Sequence, residues 1–272
     1  MLRARLATAA VAIPLLLVLI LYAPPSAFAV VVAVIGIGGL IEYAVMAFPT
    51  RLGERVLTIV LGSLVVVSGT YPADPRLLTA AVTLSVAVLL VWTLFARYDF
   101  DQGLRDVGVA LIGIFYVGFF IPHFIWLHGA DGSNGPLWVV FVLLIGMAGD
   151  TGGYAVGHAI GRHKLMPRVS PGKTVEGAIG ILAVSLLGGA AAKLILLGHV
   201  SWTHILILSG IMAVLGQLGD LTESIMKRTF GVKESGWFFP GHGGALDRLD
   251  SLLFPVAFLY YHITLIATQS SL

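Results

Sequence analysis

Long apolar runs alternate with short polar connections along the whole chain. Nine apolar segments are each near the roughly 20 residues that a membrane-crossing helix needs. They cover residues 6–22, 28–48, 56–71, 77–96, 107–127, 137–160, 177–198, 202–218 and 251–268. The pattern predicts an all-α fold: a polytopic integral membrane protein with about nine transmembrane helices.

The predicted helices fall into two groups. Residues 1–136 would form about five N-terminal membrane helices, and residues 137–272 a second, C-terminal group of membrane helices. Two charged loops, 161–176 and 219–250, interrupt the second group. We therefore expect the chemistry of the protein to reside in the C-terminal half.

The first segment admits two interpretations. Arg3 and Arg5 precede it, and the sequence Ala-Phe-Ala at 27–29 is typical of a secretory cleavage site. The Pro-Pro-Ser sequence at 24–26 equally makes a hairpin into the next helix. Because the rest of the chain stays in the membrane, we expect a retained helix.

Composition narrows the class of protein further. The chain is 58% hydrophobic and only 11% charged, whereas a soluble domain carries about 25% charged residues. The net charge of +2 gives no argument for nucleic acid. The absence of cysteine excludes a disulfide, a thiolate metal site and a cysteine nucleophile.

Basic residues predict the orientation in the membrane. If the N-terminus and every second loop share one side, that side holds 14 of the 16 Lys and Arg residues, and only Arg76 and Lys193 lie elsewhere. Cytoplasmic loops carry such an excess. We therefore expect a cytoplasmic N-terminus and cytoplasmic charged loops.

The loop 219–250 concentrates the polar chemistry. It holds nine of the 30 charged residues and a glycine-rich turn at 241–244. Acidic side chains suit a hard divalent cation, and Lys, Arg and exposed N–H groups suit phosphate oxygens. An ordinary solvated loop is the alternative.

Spacing places several of these charges on common helix faces. Asp220, Glu223 and Lys227 follow i, i+3, i+7 spacing, which can bind a metal and an anion together or form a chain of ion pairs. Asp247 and Asp250 share one face at the start of the last helix.

Two acids lie inside apolar segments, where burial is costly. Asp150 is a site candidate because the glycines around it expose backbone, although a helix–helix hydrogen bond is the alternative. Glu42, in the second segment, is interpreted as structural or interfacial.

The loop 161–176 contains Gly172-Lys173-Thr174, which ends like a phosphate-binding P-loop. The full pattern needs a glycine five residues earlier, where Pro167 stands, so that interpretation fails. A Gly-Lys-Thr turn that enters a helix still offers N–H groups and an ammonium to a phosphate.

Together these motifs resemble the phosphatidate cytidylyltransferase (CDP-diacylglycerol synthase) family. Its signature, S-x-x-K-R, K-D and H-G-G-x-x-D-R-x-D, is matched by Ser224-x-x-Lys227-Arg228, Lys233-Glu234 and His242-Gly243-Gly244-x-x-Asp247-Arg248-x-Asp250. Further matches are Asp150-Thr151-Gly152-Gly153-Tyr154, Gly219-Asp220-x-x-Glu223 and Ser170-Pro171-Gly172-Lys173-Thr174-x-Glu176-Gly177.

Three positions depart from the family pattern. Glu234 replaces the usual Asp, Ala245 replaces a larger apolar residue, and Gly172 stands where a basic residue is common. The first lengthens an acidic arm, the second affects packing, and the third removes one phosphate contact.

The resemblance implies a reaction in which CTP and phosphatidate give CDP-diacylglycerol and pyrophosphate. Asp220 and Asp247 would hold Mg²⁺, with Asp150 and Asp250 as further ligands or as partners of the ligands; a second cation is left open. The implied catalytic residues are Asp220, Asp247, Lys227, Arg248 and His242. The implied substrate-binding residues are Lys173, Thr174, Glu176, Glu223, Arg228, Lys233, Gly243 and Gly244.

The same resemblance implies a bacterial cell (inner) membrane and CTP, phosphatidate and membrane lipid as partners, with a homodimer left open. The distribution of basic residues puts the active site on the cytoplasmic side, and the small net charge gives no expectation of nucleic acid. A related CTP-using enzyme, such as a polyprenol kinase or a CDP-archaeol synthase, is the first alternative. A cation- or proton-coupled transporter is the second, and it would spread its charges along several helix centres. We also expect Asp150 and Asp247 to face one cavity that opens to the cytoplasm and sideways to the lipid.

Overall fold

The computed structural model describes residues 13–71, 74–96, 99–236, 238 and 243–270. It confirms an all-α polytopic membrane protein that is 81% helical. The elements are α1 (described part Ile13–Tyr22), α2 (Pro25–Ala47), α3 (Leu52–Gly69), α4 (Pro75–Phe95), α5 (Phe100–Gly113), a π-helix (Ile114–Phe119), α6 (Pro122–Gly129), a 3-10 turn (Gly132–Asn134), α7 (Gly135–Ile160), β1 (Lys164–Met166), β2 (Ser170–Thr174), α8 (Val175–Ile195), α9 (Trp202–Thr229) and α10 (Leu246–Ser270).

Seven helices among the described residues are long and apolar enough to cross a membrane. One of them is the continuous run Phe100–Gly129, which joins α5, the π-helix and α6. Large apolar side chains such as Leu94 and Ile195 are exposed on these helices, as lipid-facing residues are in a bilayer protein. The count of nine spans and the orientation in the membrane stay predictions.

The chain packs into two compact units. The first contains Pro24–Trp126 and the described part of Phe230–Arg248, and the second contains Leu127–Thr229 with the described residues of 13–23 and 249–270. The sequence-based division at residues 136 and 137 stays a prediction. The loop that follows α9 belongs to the first unit because it is hydrogen-bonded to α2, as described below.

The first unit is built around α2, α3 and α5. Its core includes Val65 on α3 and Ile114 at the start of the π-helix, both almost fully buried. The Tyr43 hydroxyl on α2 donates to the carbonyl of Val109 at 2.8 Å. These contacts fix α2, which carries Glu42, within the unit.

A close α7–α8 pair organises the second unit. A Cβ added at Gly152 on α7 would lie 2.6 Å from the carbonyl oxygen of Gly180 on α8, and one added at Gly180 would lie 2.8 Å from that of Gly152. Small residues allow membrane helices to approach in this way. We call this contact the glycine seam.

A two-stranded antiparallel hairpin connects α7 to α8. Lys164 pairs with Thr174, and Met166 pairs with Ser170. The Thr174 hydroxyl then caps α8 by accepting from the N–H of Gly177 at 3.1 Å. The glycine seam and the hairpin together place Lys173 beside the end of α7.

Candidate active site

A cavity of about 360 Å³ lies in the second unit, between α7, the hairpin, α8 and α9. Its polar lining comes from Asp150 and His158 on α7, Lys173 and Thr174 on the hairpin, and Gln217 and Asp220 on α9. Tyr154 also lines it, and its ring stacks on that of His158 with 5.9 Å between centroids.

Lys173 and Asp220 form an ion pair inside this cavity. Lys173 Nζ lies 2.7 Å from Asp220 Oδ2, and the two side chains are 25% and 32% exposed. The ammonium is buried and makes no aligned hydrogen bond to any described residue. Its protons therefore suit further oxygen atoms, such as those of a phosphate.

Asp150 stands on the α7 wall of the same cavity. Together with Asp220 it also lines an adjoining recess of about 20 Å³. The neighbouring Gly149 and Gly153 pack against Ile181 of α8. The structure therefore brings two of the predicted metal ligands, from α7 and α9, to one cavity.

Three side chains support the hairpin that carries Lys173: Thr174, Glu176 and Arg228. The Glu176 carboxylate accepts hydrogen bonds from the N–H groups of Arg162 and His163, at 3.1 and 3.2 Å for Oε2, and lies 2.7 Å from His163 Nδ1. Arg228 Nε on α9 donates to the carbonyl of Val169 at 3.3 Å. These contacts hold the hairpin against α8 and α9.

A second acid–base cluster lies one turn further along α9. Glu223 is fully buried, and its Oε2 lies 2.5 Å from Lys227 Nζ. Asp250 on α10 is buried and interacts electrostatically with Asp220, Glu223 and Lys227. With Asp150, this part of the second unit therefore holds four carboxyl groups and two ammonium groups.

Asp247 lies in the first unit, in the second position of α10. Its Oδ2 accepts hydrogen bonds from the N–H groups of Ser235 and Gly244, at 3.0 and 3.1 Å. Gly243 adopts φ +85°, a conformation that favours glycine. The N–H of Gly244 thus serves Asp247, although the resemblance had assigned it to phosphate.

For three more of the predicted site residues, the structure gives less detail. Lys233 and Arg248 are exposed, and both belong to the first unit. His242 lies outside the described residues. The sharing of one cavity by Asp150 and Asp247 stays a prediction, because each belongs to a different unit.

Glu42 is the residue whose link to the charged loop sequence reasoning missed. Its side chain on α2 is buried, at 8% exposure. It accepts hydrogen bonds from Ser235 Oγ at 3.2 Å, from the N–H of Phe238 at 3.1 Å and from the N–H of Leu246 at 3.0 Å. The sequence feature that could have indicated this link is a carboxylate within an apolar helix, which requires a buried partner.

The donor set of the cavity fits Mg²⁺. This ion prefers oxygen ligands, and it is commonly held by one or two carboxylates together with substrate phosphates. Asp150 and Asp220 supply that number. Among the residues that the structure describes, no cluster of three acidic or imidazole groups forms a complete metal cage, so the substrate phosphates would have to complete the coordination.

The fold is that of a polytopic membrane protein. Its cavity carries carboxylates, which suit a metal ion, and a lysine, which suits phosphate groups. The family model described as "Cytidylyltransferase family" matches residues 3–266. The chain belongs to this family.

Three relatives share the name phosphatidate cytidylyltransferase. The chain is 35% identical to that of Bacillus subtilis strain 168 over 66% of each chain. It is 40% identical to that of Staphylococcus saprophyticus over 63% of this chain and 64% of the relative. It is 33% identical to that of Staphylococcus haemolyticus over 84% of this chain and 78% of the relative. The first two alignments thus span slightly less than two thirds of those relatives.

Proposed function

We propose that this protein transfers the cytidylyl group of CTP to phosphatidate, giving CDP-diacylglycerol and pyrophosphate for phospholipid synthesis. Family membership and the names of the relatives support this proposal. The observation that carries it is the cavity in which Lys173 pairs with Asp220 opposite Asp150. Such a site joins groups for a metal ion to a group for phosphate.

In the proposed reaction, an ionised oxygen of the phosphatidate phosphate attacks the α-phosphorus of CTP in line. A new P–O bond forms to the lipid phosphate, and the bond from the α-phosphorus to its β-bridging oxygen breaks. Pyrophosphate leaves with that electron pair. Because the nucleophile is already ionised, the reaction needs positioning and charge neutralisation more than a general base.

This chain's basic residues would provide the neutralisation. The Lys173 ammonium, which lies in the cavity, would bind phosphate oxygens, and its contact with Asp220 would orient it. Lys227 is held by Glu223. Arg248 and Lys233 are exposed and would bind phosphate groups of CTP or lipid. His242 would orient a phosphate or carry a proton.

Mg²⁺ would be held by Asp150 and Asp220, and when bound it would neutralise the negative charge of the phosphate groups. Further contributions from Asp247 and Asp250 stay predictions. We place the reaction at the cytoplasmic face of a bacterial cell membrane, where a soluble nucleotide can meet a membrane lipid. Homodimerisation stays a prediction.

The test uses purified protein in detergent with CTP labelled in the cytosine ring, with and without phosphatidate and Mg²⁺. The expected result is label in the lipid fraction and release of pyrophosphate, both dependent on phosphatidate. Labelled CDP with a phosphorylated lipid would instead identify a lipid kinase. No lipid-dependent turnover of CTP would overturn the proposal.

A further inference from the structure

The Glu42 carboxylate on α2 binds described residues of the loop between α9 and α10, residues 230–245. The ring of Tyr43 on α2 also contacts that of Phe230, with 5.7 Å between centroids. Glu42 lies on a helix of mean hydropathy 2.2 across its most apolar window. A charged group there is costly unless it is paired. The described residues place no Lys or Arg in an ion pair with Glu42; its partners are three neutral donors.

Two of these donors lead directly to Asp247. The Ser235 hydroxyl has one proton, which it donates to Glu42 Oε2 at 3.2 Å. Its oxygen then accepts from the N–H of Asp247 at 3.3 Å. Leu246, whose N–H donates to the same Oε2 at 3.0 Å, is the residue before Asp247.

Close packing reinforces the arrangement. A Cβ added at Gly236 would lie 2.5 Å from Glu42 Oε1, and one added at Gly244 would lie 2.5 Å from Glu42 Oε2. Both glycines therefore allow the loop backbone to approach the carboxylate. Gly244 also donates its N–H to Asp247 Oδ2.

We infer that Glu42 is a positioning residue: through Ser235, Gly244 and Leu246 it fixes the carboxylate of Asp247 for the transfer reaction. The inference rests on the proposed function for its catalytic part. The acid on an apolar helix thus binds the loop and the start of α10, where Asp247 lies, and each of its two oxygens faces a donor.

The central variant is Glu42→Gln, which keeps the size of the side chain. In either amide orientation, its NH₂ group would face a donor, Phe238 N–H or the Ser235 and Leu246 pair. We expect faster hydrogen exchange across residues 230–245. We also expect kcat to fall about 100-fold, as misplaced catalytic groups do, with the KM for CTP nearly unchanged and with a folded protein, as judged by its elution in detergent.

Two further variants test whether Glu42 acts through Ser235. Ser235→Ala removes the shared hydroxyl and leaves α2 intact, so it carries the test if Glu42→Gln does not fold. The double variant should be no worse in kcat than Glu42→Gln alone, because coupled residues are not additive. Glu54→Gln is the matched control: Glu54 is also buried in the first unit and accepts from Trp92 Nε1 at 3.2 Å.

Several results would overturn the inference. These are a Glu42→Gln protein with wild-type kcat and exchange, a loss that follows only the amount of folded protein, or fully additive losses with Ser235→Ala. A wild-type protein that transfers nothing from CTP would instead defeat the proposed function. In that case the exchange measurement still decides whether Glu42 holds the loop.

Discussion

Glu42 in the first unit and Asp220 in the second are both carboxylates on helices apolar enough to cross a membrane, yet their surroundings differ in kind. Glu42 is 8% exposed and faces three neutral donors, two in the loop between α9 and α10 and one at the start of α10. Asp220 is 32% exposed, lines a cavity and faces the ammonium of Lys173. The first environment is closed by the protein itself, and the second is open to a ligand.

The difference distinguishes two roles for a carboxylate on an apolar helix, one structural and one in ligand binding. A buried carboxylate that accepts several hydrogen bonds from neutral groups fixes the backbone that donates them. A carboxylate that pairs with a lysine beside a cavity can also bind a metal ion, either alone or together with a phosphate. Part of its pairing with the lysine is then replaced by the contact with the metal. Asp247 combines both features, since its Oδ2 serves backbone N–H groups while the resemblance implies a metal.

The largest expected effect is at the open site. Asp220→Asn removes the charge at nearly constant volume, so the turnover of CTP should fall below about a tenth, a barrier increase of at least about 1.4 kcal/mol. The protein should still fold, as judged by its elution in detergent. Asp101→Asn, which breaks an exposed ion pair with Arg105, is the control and should keep wild-type turnover. Turnover above a tenth would remove Asp220 from the metal site.

Asp247→Asn tests the same comparison in the first unit, because it separates loss of turnover from loosening of the loop. The amide oxygen can still accept from Ser235 and Gly244, so hydrogen exchange in residues 230–245 should stay close to wild type. The lost charge should again lower turnover below about a tenth. Activity lost without loosening of the loop would distinguish Asp247 from Glu42. Normal turnover would contradict its role as a ligand.

Lys173 should show an effect on substrate binding that depends on the substrate. Lys173→Ala removes a charge-assisted contact, usually about 1.5–3 kcal/mol, so the KM for CTP or phosphatidate should rise about tenfold or more. Lys173→Arg should recover part of this, because the wider guanidinium keeps the charge but not the shape. Lys164→Ala, an exposed lysine on the other hairpin strand, is the control. Normal kinetics in Lys173→Ala would leave this loop as a basic anchor at the membrane surface.

The smallest effect concerns the scaffold of the open site. Gly152→Ala would place a Cβ 2.6 Å from the Gly180 carbonyl, and such overpacking costs about 1–3 kcal/mol. Thermal unfolding in detergent should show a lower midpoint. Gly210→Ala on α9, where the nearest atoms would lie 3.9 and 4.0 Å away, should cost nothing. Equal midpoints for both variants would contradict the glycine seam.

Helices were the predictable part of this protein, because their signal is local. The predicted segment 28–48 became α2, Pro25–Ala47. The segment 202–218 continues to Thr229 because its last turns carry charges that are satisfied by Lys173 and by the pair of Glu223 and Lys227. Hydropathy alone ends a helix where such residues begin.

The unpredicted features depend on contacts between distant residues. The spacing of Asp220, Glu223 and Lys227 predicted a shared face, but not that a hairpin would bring Lys173 to Asp220. Likewise, Glu42 and Leu246 are 204 positions apart in sequence. Neither periodicity nor residue type reports which distant backbone group a buried acid will bind.

The glycine seam also limits how this chain can change over generations. Every replacement at position 152 or 180 adds a Cβ, and each Cβ would meet the carbonyl of the facing glycine, at 2.6 and 2.8 Å. A second mutation on the opposite helix cannot restore the space, because glycine is already the smallest residue. Any inherited change here would first have to separate α7 from α8, and with them Asp150 from Lys173. Variation is therefore expected to accumulate on the outward faces of these helices, such as at Ile179 and Leu187, which are exposed.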